Sequence, residues 1–127
     1  MRKIESRNAP KAVGPYSQGI AVENLCFISG QLPLNPVTGS IPEDIIEQTK
    51  QSLLNIGAIL ESEGLSYDSI IKTTVLLTDI NDFKSVNEVY ETFFKSGMFP
   101  ARTAYQVVAL PMGAKIEIEV VASRKES

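Results

Sequence analysis

From Ala114 to Ser123 the chain alternates strictly. Ala114, Ile116, Ile118, Val120 and Ala122 share one parity; Lys115, Glu117, Glu119, Val121 and Ser123 share the other. Only an extended strand sends successive side chains to opposite faces, so this segment has one dry face and one mixed face. It therefore needs a sheet with a packed layer on at least one side. Upstream, a second apolar strand is read with Arg102 at its start and the apolar run Tyr105 to Leu110 within it, and Pro111-Met-Gly113 reads as a turn. The two strands are expected to form a hairpin turning near Met112-Gly113.

The remaining segments supply the rest of an α+β domain. Ile20–Val22 and Cys26–Ser29 are short β-prone runs joined by Glu23-Asn24, a two-residue hairpin turn. Residues 30–42 hold three prolines and two glycines and read as a loop. A first helix is expected from about Asp44 to Glu63. Asp44 and Glu47 form the cap, Gly64 the stop, and Ile46, Leu53, Ile56 and Leu60 the buried stripe. Ile70–Thr78 is rich in β-branched residues and reads as a central strand. A second helix, capped by Asp79 or Asn81, is expected to end near Lys95 with Gly97 beyond it. Phe83, Val86, Tyr90 and Phe93 form its apolar face. Asn87 borders that face, which suits either solvent or a contact with a ligand or a subunit. The order is β-β-α-β-α-β-β in a single domain, residues 1–127. Two helices cover one face of such a sheet, yet Val75–Leu77 and Tyr105–Leu110 place apolar groups on both. A homo-oligomer buried through the sheets is the expected remedy.

Composition narrows the chemistry. The chain has no histidine and one cysteine among 127 residues, which removes Ser-His-Asp and Cys-His nucleophile systems and most zinc sites. No metal site is expected. Gly14 and Gly19 are too far apart for either phosphate-binding fingerprint. A net charge of -3 argues against nucleic acid as a partner, and Arg2, Lys3 and Arg7 read as a solvated arm. No apolar run is long enough for a membrane span, and the N-terminus lacks the apolar core of a signal peptide, so a cytoplasmic location is expected. Cys26 reads as a small core residue. What remains is Arg102, a planar fork suited to a small carboxylate, and the strand-borne Glu117 and Glu119, able to hold or deprotonate a water. From the residues alone, Arg102 is equally at home in a surface ion pair, and the two glutamates on a solvated strand face.

Seven short segments in register carry a resemblance that spans about Ala9 to Ala122. They are Ala9-Pro with Gly14-Pro-Tyr-Ser-Gln-Gly19, Ile28-Ser-Gly-Gln-Leu-Pro33, Ile71-Lys-Thr-Thr-Val75, Asp79-Ile-Asn-Asp-Phe83, Val86-Asn-Glu-Val-Tyr90, Pro100-Ala-Arg-Thr103 and Lys115-Ile-Glu-Ile-Glu119. Together they resemble the Rid proteins (reactive intermediate deaminases, the YjgF family), most of all the RidA branch. The resemblance implies a chorismate-mutase-like fold, with two helices on one face of a mixed sheet and a homotrimer burying the other. It also implies hydrolysis of 2-imino or enamine acids, such as 2-iminobutanoate or 2-iminopropanoate, to 2-keto acids and ammonia. The reaction needs no metal or cofactor and takes place in clefts between subunits. Such intermediates are released by pyridoxal-phosphate enzymes, the implied functional partners.

Position by position, the resemblance gives Arg102 the substrate carboxylate and Glu117 the water. Tyr16, Ser29, Gly30, Asn87 and Ala104 would line the cleft, Gly30 and Ala104 through their backbones. Glu119 is not the family's match. Some relatives have cysteine where this chain has Ala104, which leaves this cleft roomier. The alternative is a non-catalytic trimeric binder of 2-keto or imino acids, which would use Arg102 and make no demand on Glu117. Cleavage of RNA is disfavoured by the acidic balance and the lack of histidine bases. In the expected hairpin Glu117 lies opposite Val108, leaving Arg102 roughly 20 Å away at ~3.3 Å per residue. Either the chain bends near Arg102, or the two residues of one site come from different subunits.

Overall fold

The computed structural model describes residues 1–124. Six strands form one mixed sheet: β1 (Arg2–Ile4), β2 (Gly19–Val22), β3 (Leu25–Gln31), β4 (Ile70–Leu77), β5 (Ala101–Gln106) and β6 (Ile116–Ser123), in the spatial order β1-β2-β3-β6-β4-β5. Helices α1 (Ile45–Ser62) and α2 (Phe83–Tyr90) join β3 to β4 and β4 to β5. The β2–β3 hairpin turns at Glu23-Asn24 as expected, with Glu23 at φ 52. The short edge strand β1, which pairs antiparallel with β2, is an addition to the expected order.

The expected hairpin between the last two strands does not form. β6 is antiparallel to both β3 and β4, while β5 is parallel to β4 on its other side. The reason is the helix between β4 and β5. A strand–helix–strand crossover returns the chain parallel to its starting strand, and the return strand takes the open edge. The chain then loops past the end of β4, where Val107 N–H donates to Leu77 O (2.8 Å) and Thr78 N–H to Lys115 O (3.1 Å). β6 enters the slot between β3 and β4. Its strictly alternating pattern suits the middle of the sheet, whereas the polar Arg102, Thr103 and Gln106 suit an edge.

Both helices pack on one face. Leu53, Ile56, Ile59 and Leu60 of α1 and Val86 and Tyr90 of α2 meet Val75, Leu77, Ile116, Ile118 and Ala122 in a closed core. Burying each large aliphatic side chain contributes about 1.5–3 kcal/mol. α1 is capped by the Asp44 side chain, which accepts from Glu47 N–H at 2.8 Å. The expected stripe needs one correction: Ile46 is exposed. Thr49 and Ile45 occupy the inward positions one and two turns before Leu53, because a 3.6-residue repeat drifts away from strict sevenfold spacing. A 3₁₀ turn capped by Asp79 precedes α2, and a second one, Glu91–Phe93, follows it.

Two buried amides of α1 fix the loops. Gln48 donates to Pro42 O (2.7 Å) and accepts from Lys115 N–H (2.8 Å). Asn55 donates to Leu32 O and Leu34 O. The opposite face of the sheet is bare in the single chain and presents Val22, Phe27 and Tyr105, each more than a third exposed.

The two ends of the described chain are tied together at the end of α1. The Glu63 carboxylate accepts from Arg2 and Arg124 at 2.6–2.9 Å and is 8% exposed. The hydrogen bond from Arg2 is the largest influence holding the Glu63 carboxyl below the usual carboxylate range, with the charges of both arginines assisting against desolvation. A lowered folded-state value contributes stability that is present above the unfolded value, near 4.3, and is lost as the pH falls through the folded one. Glu63→Gln should therefore lower the urea midpoint at pH 7. Urea titrations should show the gap to wild type closing once the pH falls below the usual carboxylate range.

Candidate active site

The structure divides the sequence-predicted residues into two groups. The first surrounds Glu117 on β6. Between Ile28 and Gln31 the β3–β6 register shifts, so that Ser29 and Gly30 together oppose Glu119. This bulge brings Gly30 against the neighbouring glutamate. A Cβ built on Gly30 would lie 2.6 Å from Glu117 Oε2, so any larger residue would displace the carboxylate. Ser29 is held at both ends: its N–H donates to Gln18 O (2.9 Å) and its hydroxyl to Ser17 O (2.6 Å). Its lone pairs stay available to accept. Tyr16, Ser29, Gly30 and Glu117 line a common groove of about 510 Å³, whose other wall includes Leu32, Leu34, Pro111 and Met112.

Gln18, in the same groove, is a residue that the sequence reading passed over. It is buried, and it pins the N-terminal arm by donating to Pro10 O (2.7 Å) and accepting from Ser6 N–H (2.6 Å). Its only sequence signal is a position inside the Gly14–Gly19 segment.

The second group surrounds Arg102 on β5. Its Nη1 donates to Asn87 Oδ1 at 2.7 Å, and its guanidinium carbon lies 4.9 Å from the ring centroids of both Phe83 and Tyr90. The side chain is thereby fixed between rings and amide, with Nη2 and Nε left over for a planar anion. Asn87, at the border of the apolar face, thus pairs with Arg102. Phe83 and Tyr90, read in the sequence only as core, form its stacking platform. Tyr90 is itself fixed by a 2.8 Å hydrogen bond to Thr73 Oγ1. A second depression of about 410 Å³ lies here, lined by Asn87, Tyr90, Glu91, Phe99, Pro100 and Arg102. Ala104 follows on the same face of β5, opposite Val75.

Within one chain the two groups do not meet. Arg102 pairs with Thr73, whose side chain faces the helices; Glu117 pairs with Leu76, on the opposite parity of the same strand. Arg102 and Glu117 therefore project from opposite faces of the sheet. Two strand spacings and three residues also separate their backbones, roughly 14 Å. β5 does not bend enough to remove that separation.

Glu117 is partly buried and shares its strand face with Glu119. Burial, and secondarily the adjacent Glu119 carboxylate, raises its carboxyl above the usual range. Glu119→Gln should lower the Glu117 midpoint only partway, since desolvation is the larger cause; carbon NMR of the carboxyl signals reads this directly. Ionising such a group opposes folding as the pH rises through its raised value, so Glu117→Gln should increase the thermal midpoint at neutral pH. A fall in the midpoint would contradict the assignment of burial as the cause.

A family model described as endoribonuclease L-PSP matches residues 6–124. The chain is 51% identical over 122 residues to a human protein named 2-iminobutanoate/2-iminopropanoate deaminase, covering 95% of this chain and 88% of that one. A protein of the same name from Escherichia coli K12 is 48% identical over 126 residues, 98% of each chain. The crystal structure of E. coli TdcF with bound serine superposes with a TM-score of 0.95 at 46% identity, covering 98% of this chain and 100% of that one. Length, fold and sequence agree throughout, and the chain belongs to the Rid (YjgF) family.

Proposed function

We propose that this protein hydrolyses 2-imino acids, such as 2-iminobutanoate and 2-iminopropanoate, to 2-keto acids and ammonia. We further propose that each site is completed by two protomers of a chorismate-mutase-like homotrimer. The observation that carries this reading is the guanidinium of Arg102, fixed by Asn87, Phe83 and Tyr90 with one edge left for a carboxylate. Relatives at about half identity over nearly the whole chain carry that activity in their names. The bare sheet face with Phe27 and Tyr105 supplies an apolar surface for the subunit contact. A cytoplasmic location, near the pyridoxal-phosphate enzymes that release such imines, belongs to the same proposal.

The chemistry uses few groups. Arg102 of one protomer holds the substrate carboxylate in a two-pronged pair and so fixes C2. The groove of the next protomer receives the iminium, whose N–H can donate to the Ser29 hydroxyl oxygen. Tyr16 and the Gly30 backbone border the same space, and Ala104 lies beside Arg102. The iminium carbon is already electrophilic, so water suffices as nucleophile. Ionised Glu117 orients the water and takes its proton as the C–O bond forms and the C=N π pair moves to nitrogen. The resulting carbinolamine needs a proton on nitrogen, which Glu117 returns. The C–N bond then breaks, ammonia leaves, and the hydroxyl proton is released as the keto group forms. A raised carboxyl value favours both steps, since the group must accept and donate near neutral pH.

Ammonia release from enzymatically generated 2-iminobutanoate should exceed the buffer rate. Arg102→Ala should raise KM, and Glu117→Gln should lower kcat by about 10²-fold or more. The acidic limb of the pH–rate profile should follow Glu117 ionisation. A wild-type rate equal to buffer would refute the enzyme reading. Two impaired variants test the shared site at a substrate concentration low enough that each alone runs near the buffer rate: co-assembled Arg102→Ala and Glu117→Ala subunits should regain about a quarter of wild-type activity through statistical pairing. No recovery in verified mixed assemblies would place both residues within one protomer.

A further inference from the structure

The groove beside Glu117 has a wall that the water chemistry does not use. Leu32 and Leu34 are held in place by the Asn55 amide, and Pro111 and Met112 arrive from the turn before β6. Met112 has φ 60 and ψ 20, and its side chain is 62% exposed. A glycine adopts this left-handed conformation freely, whereas a long side chain occupies it at a cost. Gly113 follows at φ 68, so the turn already contains the residue suited to such a conformation. The thioether stands at the groove wall against both backbone preference and exposure. At about 510 Å³ the groove is in the size range that accommodates ligands much larger than an imine with a methyl or ethyl side chain.

We propose that Met112 is a specificity-determining residue: with Leu32, Leu34 and Pro111 it forms an apolar subsite selecting imino acids whose side chains are longer than ethyl. This rests on the deaminase reading for its substrate class. With the carboxylate on Arg102 and the iminium beside Glu117, the remaining substituent on C2 would occupy the rest of the groove, which this wall lines. A flexible thioether follows side chains of different shape. Preference should then rise with each methylene that reaches it, roughly fourfold per buried group.

An amino-acid oxidase can generate imines in place from alanine, 2-aminobutanoate, norvaline and norleucine. In the wild type kcat/KM should increase along this series. In Met112→Gly the ratio of the norleucine-derived to the alanine-derived imine should fall about tenfold or more, while the thermal midpoint holds or rises because the backbone is relaxed. A flat wild-type series, or a ratio unchanged in Met112→Gly, would overturn the proposal. Calorimetric titration with the corresponding 2-oxo acids reads the subsite without turnover. Affinity that grows with chain length and drops in Met112→Gly, with no imine hydrolysed, would support the subsite and refute the deaminase reading. Turnover without chain-length preference would do the reverse.

Discussion

The place of β6 between β3 and β4 determines most of what this molecule can do. The strand is antiparallel to both neighbours, and one parity lies wholly against the helices. The other parity is thereby committed to the opposite face, and Glu117 goes with it. β5 reaches the edge of the sheet through a helical crossover that fixes its direction parallel to β4. Register on β4 then places Arg102 with Thr73 on the helix side and Glu117 with Leu76 on the bare side. Shifting either strand by one residue would bring both charges to one face, but it would turn the entire buried set of that strand outward. The separation of the two charged groups is thus held by the same apolar contacts that hold the core.

A sheet face carrying Phe27, Tyr105 and Val22 in the open has the character of a subunit contact, and it adjoins Glu117. Arg102 lies on the edge strand, accessible to a neighbouring chain, with its position set by α2. Assembly would then bury the bare face and bring an arginine to a glutamate in one event. On the proposed mechanism catalysis would depend on association, since Arg102 and Glu117 project from opposite faces of one sheet. Glu117 also has more to gain from a partner than from its own chain, where Glu119 is the nearest charge influence and acts against its ionisation.

Much of this architecture was legible in the sequence, and the failures have physical causes. Period two in β6, the Asp44 cap and the Glu23-Asn24 turn are local features, and local features survive folding. The resemblance supplied the positions of Arg102, Glu117, Ser29, Gly30 and Asn87 at once. The last two strands do not form the expected hairpin because β5 follows a strand–helix–strand crossover, which sets it parallel to β4 whatever its nearness in the chain to β6. Asn87 gave only an ambiguous boundary signal, since its bond to Arg102 joins residues fifteen apart on different elements. Phe83 and Tyr90 pack with the core as their spacing indicates, and what spacing cannot show is that their rings also face the Arg102 guanidinium. Gln18 could not be found by pattern, because its partners are backbone carbonyls and an amide in a loop.

The bulge at Ser29-Gly30 links this geometry to reactivity. The extra residue sets position 30 against Glu117, where a Cβ would lie 2.6 Å from the carboxylate oxygen. With it, Gly30 leaves space for the carboxylate, and Ser29 turns its hydroxyl to Ser17 O while its oxygen remains able to accept. Burial, and secondarily Glu119, raises the Glu117 carboxyl. A carboxylate raised in this way binds a proton more readily than a solvated one, which is what a single group requires if it is to take a proton from water and return it to a leaving amine. No histidine is needed for that exchange. On the proposed mechanism, backbone geometry at the bulge would take the place of an imidazole in tuning the proton-exchanging group.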